Sequence, residues 1–113
     1  MDLSSRKCAP CTGGIAKLTA LQIASLAVEI PAWTIADERQ LRRQFKFRDF
    51  RGSMAFVNRL AELAESEGHH PDFAVSYATV NVTVWTHDVG GLSENDFILA
   101  AKIDRIDQLG DRA

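Results

Sequence analysis

Across Gly68-His69-His70-Pro71 the apolar period of the chain changes from that of a helix to that of a strand. Before this segment, Phe50, Met54, Val57, Leu60, Ala61 and Ala64 recur at helical spacing. They predict a buried stripe on a helix from about Phe50 to Ser66, with Asp49 as its N-terminal cap. After it, Phe73, Val75 and Tyr77 alternate with small or polar residues, and Val80, Val82 and Val84 alternate with Asn81, Thr83 and Trp85. Both runs read as half-buried strands. The punctuation between helix and strands is specific. Gly68 supplies a left-handed helix stop, and Pro71 pushes His70 into extended backbone. A helix that turns sharply into a hairpin leaves few topologies open, and two of the chain's three histidines occupy that corner.

The flanking segments fit the same frame. Residues 1–17 read as an irregular N-terminal arm, and residues 18–113 as one domain. Thr19 and Gln22 have capping-box spacing. Ile23, Leu26, Ala27 and Ile30 then follow helical periodicity up to Pro31, which ends the helix. Trp33 to Ala36 and Leu41 to Phe47 read as a hairpin around the polar turn Asp37-Glu38-Arg39, with Phe45 and Phe47 on one face. Gly90-Gly91 turns the chain, Ser93 and Asp96 have capping-box spacing, and a last helix presents Leu99, Ile103 and Ile106 and ends near Gly110. The order is α-β-β-α-β-β-α. It predicts an α+β fold: a four-stranded antiparallel sheet covered by three helices on one face. Its uncovered face and edges allow self-association.

Composition excludes several functions. With 46% hydrophobic residues, 113 residues can bury a core without staples. The 13 basic and 15 acidic residues give a net charge of −2, which is no electrostatic footprint for nucleic acid. No stretch has the apolar length of a membrane span. Lys17, Gln22 and Glu29 interrupt the segment Ile15 to Ile30, so it is no signal-peptide core either, and a cytoplasmic protein is expected. Cys8 and Cys11 have the spacing of a redox dithiol or half a zinc site. No strand precedes Cys8, and a four-ligand zinc site would need ligands already committed elsewhere, so reduced thiols in a loose arm are the favoured reading.

Histidine is the side chain whose ordinary titration lies within physiological reach. His69, His70 and His87 around one cleft would suit a reaction that protonates one atom and deprotonates another. Period two places His87 on the Asn81–Thr83–Trp85 face if the strand persists that far. Blander readings exist for every member. Adjacent histidines at a helix end can simply partner its dipole, and three histidines can bind zinc. Asp96 is explained as a capping residue, and Glu65 as a solvated helix-face charge.

The spacing of the whole set adds a resemblance. Glu65, His69-His70-Pro71, Tyr77, His87 and Asp96 fall within 32 positions. Together they resemble the signature of the pterin-4a-carbinolamine dehydratase family. The likeness extends to Pro31-Ala32-Trp33 before the first hairpin, and to Phe47, Asp49-Phe50 and Phe56 at the start of the second helix. It includes Thr86-His87-Asp88-Val89-Gly90-Gly91-Leu92 before the last helix, and Cys8-Ala9-Pro10-Cys11 with Gly13-Gly14 in the arm.

The resemblance implies the same α-β-β-α-β-β-α fold. It also implies dehydration of 4a-hydroxytetrahydropterins to quinonoid dihydropterins, a step that recycles the cofactor of aromatic amino acid hydroxylases. Loss of water needs a proton on the C4a hydroxyl and removal of one from N5. By resemblance His69 and His87 are the acid/base pair, and His70 orients the pterin. Glu65 and Asp96 orient an imidazole, and Pro71, Asp72 and Trp85 bind substrate or support the histidines. No metal or organic cofactor is implied. A homodimer or a tetramer built from dimers is implied, with a functional link to a hydroxylase. Relatives that act as transcriptional dimerisation cofactors or assembly factors supply the alternative, an interaction protein on the same fold.

Overall fold

The computed structural model describes residues 3–8 and 16–107. Helix α1 spans Ala20–Ala27, strand β1 Thr34–Ala36, β2 Gln40–Lys46, helix α2 Phe50–Glu67, β3 Asp72–Ser76, β4 Thr79–Val84 and helix α3 Glu94–Asp107. Short 3-10 turns cover Leu3–Ser5 and His87–Val89. The strands form one antiparallel sheet in the order β1-β2-β4-β3, and three helices cover one face. This is the predicted architecture. Cys11, Gly13, Gly14 and the expected helix end near Gly110 lie outside the described residues.

Register follows the apolar alternation. Leu41 pairs with Val84, Phe45 with Val80, and Val75 with Val80, all on the helix-facing side. The opposite face carries Arg42 against Thr83, Gln44 against Asn81 and Lys46 against Thr79. The core joins the sheet valines to Trp33, Phe45, Phe47, Phe56, Leu60, Phe97 and Leu99. Phe45 and Phe47 pack on the Phe56 ring with centroids 4.7 Å and 5.1 Å away.

Several local expectations shift. Helix α1 carries its full capping box, but the α-helix ends at Ala27, and Ile30 is buried just beyond it. The buried face of α2 is Gly52, Ser53, Phe56, Val57, Leu60 and Ala64, whereas Phe50 and Ala61 are exposed. Small Gly52 and Ser53 let the first turn approach the sheet, where Ser53 Oγ donates to the Tyr77 carbonyl at 2.6 Å. Tyr77 is not a strand residue. It occupies the β3–β4 turn with φ 53° and an exposed side chain. Residues 3–8, expected to be loose, are docked, with Leu3 fully buried.

Candidate active site

Helix α2 ends at Glu67, and Gly68 adopts φ 66°. That left-handed value strains any residue with a Cβ. The N–H groups of both Gly68 and His69 bond to the Ala64 carbonyl, so the corner is anchored to the last helical turn. His69 turns inward and is 6% exposed, whereas His70 turns outward. On the other side, β4 ends at Val84. Thr86 bridges to Gly91, and His87 opens a 3-10 turn. The strand thus stops short of His87, which does not extend the Asn81–Thr83–Trp85 face. All three histidines nevertheless line one cleft of about 190 Å³, with Trp85, Thr86 and Asp88.

Asp96 forms the floor of this arrangement and is completely buried. Its Oδ1 lies 2.7 Å from His69 Nε2. Its Oδ2 accepts the Thr86 hydroxyl and the Ser93 N–H, each at 2.8 Å. A carboxylate only accepts, so His69 Nε2 must carry the proton of this bond, and a neutral ring then has its lone pair on Nδ1. The Thr86 hydroxyl spends its proton on Asp96 and so accepts from Ser93 Oγ, 2.7 Å away. Capping and histidine orientation therefore coexist in one side chain, one function per oxygen. The N-terminus of α3 adds favourable dipole for the negative charge.

The rim is built differently. His70 Nε2 lies 2.5 Å from Glu65 Oε2, with side chains 62% and 78% exposed. Pro71 and His70 also border an apolar groove with Leu60, Ala64 and Phe73. Trp85 Nε1 donates to Asp72 Oδ2 at 3.2 Å, and the Trp85 ring lies against the His87 ring with centroids 3.9 Å apart. Asp72 thus fixes the indole that supports His87. Glu65, Pro71, Asp72, Trp85 and Asp96 all fall within this neighbourhood, whereas Tyr77 lies at the far hairpin turn. Thr86 and Ser93 were not named as site residues from sequence, where Ser93 was read only as a helix cap. The signal for Thr86 was there: two residues after Val84, it continues the buried parity, and a buried hydroxyl requires a partner. Among the described residues no group of three or more His, Cys, Asp or Glu side chains is placed to hold a metal ion.

The sequence model of the family described as pterin 4 alpha carbinolamine dehydratase matches residues 16–106. This chain belongs to the pterin-4a-carbinolamine dehydratase family. A relative from Rubrobacter xylanophilus is 45% identical over 105 residues, covering 93% of this chain and 98% of its own. One from Halorhodospira halophila is 45% identical over 107 residues, covering 94% and 98%. Both are provisionally named pterin-4-alpha-carbinolamine dehydratases. The crystal structure of a transcriptional coactivator/pterin dehydratase from Brucella melitensis is similar, with a TM-score of 0.76 and 33% identity over 80% of this chain and 98% of that one. A pterin dehydratase-like RuBisCO assembly factor of the α-carboxysome is more distant in shape. Its TM-score is 0.57 at 27% identity, over 66% of this chain and 88% of its own.

Proposed function

We propose that this dehydratase-family protein removes water from 4a-hydroxytetrahydropterins through His69 and His87, with His70 orienting the pterin. The protein is a hydro-lyase: the C4a–O bond breaks, the hydroxyl leaves as water after gaining a proton, and N5 gives up a proton as the C4a–N5 double bond forms. Two imidazoles suit these two transfers near neutral pH, each contributing on the order of 10²–10⁴ in rate. The observation that carries the reading is the buried His69–Asp96 bond facing His87 across one cleft. Asp96 holds one ring in a single tautomer. Trp85, held by Asp72, holds the other ring. Glu65 positions His70 at the rim.

The fold supports further parts of this reading. The edges β1 and β3 are open, and Phe73 and Tyr77 are 43% and 68% exposed beside β3, which favours a homodimer or a tetramer built from dimers. No helix among the described residues is long and apolar enough to cross a membrane. The protein works in the cytoplasm beside an aromatic amino acid hydroxylase, with residues 18–113 as one domain on which residues 3–8 dock. The test is a dehydration assay with enzymatically generated 4a-hydroxytetrahydrobiopterin, without added metal or nucleotide. Faster decay of the 4a-hydroxypterin absorbance than in buffer is expected. A rate equal to buffer at micromolar protein would refute the activity, and light scattering at about 12.5 kDa would refute the oligomer.

A further inference from the structure

The family match begins at residue 16, yet residues 3–8 are built into the molecule. The buried Leu3 donates its N–H to Glu29 Oε1 at 3.3 Å. Arg6 pairs with Glu94, the first residue of α3, at 3.1 Å. The contacts of Cys8 are more telling. Its backbone N–H donates to Glu67 Oε1 at 2.9 Å, and its thiol donates to the Asn95 carbonyl at 3.6 Å. Glu67 closes α2 two residues before His69, and Asn95 immediately precedes Asp96. One arm residue therefore ties together the two segments that deliver the buried His69–Asp96 bond. The second Glu67 oxygen accepts Lys102 Nζ from α3 at 2.7 Å, and these two side chains are only 6% and 15% exposed.

Burial opposes the Glu67 charge, but the Cys8 N–H and the Lys102 ammonium outweigh it and hold this carboxyl below its ordinary range. It is a permanent acceptor near neutrality. The Cys8 thiol is pushed up to about 12, first by burial and then by the Glu67 charge, so it stays a protonated donor and not a thiolate. Residues 3–8 thus form a hydrogen-bonded strap whose Cys8 carries no reactive thiolate. Its target is Glu67, which the left-handed Gly68 alone separates from His69.

We infer that Glu67, bound by the Cys8 N–H and Lys102, is a positioning group that holds His69 in register with Asp96 without touching substrate. The inference rests on the dehydratase reading for its kinetic consequence and on geometry alone for its structural one. A displacement on the order of 1 Å at a reacting group can cost about a hundredfold in rate.

The full chain is compared with Glu67→Ala, Glu67→Gln, Cys8→Pro and Cys8→Ala by two measurements. One is steady-state dehydration, and the other is the NMR resonance of the His69 Nε2 proton, which its buried bond shields from exchange. Glu67→Ala and Cys8→Pro should lower kcat about tenfold with KM within about twofold, and should lose the slowly exchanging resonance. Glu67→Gln keeps an acceptor for Cys8, and Cys8→Ala keeps the N–H. Both should stay within about threefold of wild type and retain the resonance. A cooperatively melting Glu67→Ala protein with wild-type kcat and resonance would overturn the inference, as would a fall in kcat with the resonance intact. If Glu67→Ala does not fold, Cys8→Pro against Cys8→Ala carries the same decision. If the wild-type chain shows no dehydration, that reading fails by itself, and loss or retention of the resonance alone decides the positioning role.

Discussion

Two histidine–carboxylate pairs leave the end of α2 one residue apart, and they share little beyond their chemistry. His69 and Asp96 meet at 2.7 Å with side chains 7% and 0% exposed. His70 and Glu65 meet at 2.5 Å but are 62% and 78% exposed. The shorter contact is the weaker one energetically, because water and salt screen it and two mobile side chains must be ordered to make it. The buried pair lies in a low-dielectric network where every partner is spoken for, so its geometry is unique and its loss is costly. Burial and completeness of the network rank these pairs, and distance does not. The floor of the cleft is thereby fixed in geometry, while the exposed rim pair is free to adjust.

The comparison is most severely tested at Asp96. Asp96→Ala would leave the His69 Nε2–H, the Thr86 hydroxyl and the Ser93 N–H facing a void. A loss of about 3–5 kcal/mol is expected in urea denaturation, together with collapse of turnover. A loss no larger than that of an exposed pair would break the contrast between floor and rim.

Next come the rings themselves. His69→Ala and His87→Ala should each lower kcat roughly ten- to a thousandfold, and the double variant should lose less than the product of the two. His70→Ala should act mainly through KM. Wild-type kinetics in all three would leave the cleft without its proposed chemistry.

A smaller effect sharpens the view of two partly buried carboxylates, Glu67 at the end of α2 and Asp104 on α3. Glu67 has its pKa lowered from 4.5, so its contribution is present above that value and is lost as pH falls through the lowered one. Asp104 is the opposite case. Burial raises its pKa from 3.8 despite the Trp33 N–H and the Arg43 guanidinium, so the folded state holds its proton longer and stability falls as pH rises through that window. Glu67→Gln should flatten the acid limb of the stability–pH curve, and Asp104→Asn should steepen it. Parallel shifts in the two variants would contradict these environments.

The smallest change belongs to the rim. Glu65→Ala should cost less than about 1 kcal/mol and matter still less in high salt. A loss comparable to that of Asp96→Ala would show that the rim is as rigid as the floor.

Local rules were legible in the sequence where they act within one segment. The Thr19–Gln22 capping box, the Asp49 cap, the left-handed Gly68 and the β4 alternation all appear as read. The helical stripe was legible only in part: Val57, Leu60 and Ala64 are buried as read, whereas Phe50 and Ala61 are exposed. The observed buried face of α2 is rotated by roughly 70° from the expected one, at 3.6 residues per turn. The apolar residues of α2 offer two overlapping stripes, and contact with Phe45 and Phe47 selects the one that contains Phe56. Tyr77 shows the same limit: its apolar alternation suited a strand, but hairpin register placed it in the turn.

From sequence alone came the order of elements, the α+β class, and the corner that puts His69 and His70 at a helix end, because backbone sterics and periodicity are local. Tertiary structure alone decided which histidine is buried, since that depends on the α3 N-terminus delivering Asp96 against the corner from 27 residues away. It also decided that Thr86 and Ser93 complete the carboxylate's partners. That Cys8 reaches Glu67 across 59 residues was equally invisible to periodicity. A pattern of 2.0 or 3.6 residues says which face of a segment is buried, but it carries no information about the distant polar group that must meet it there.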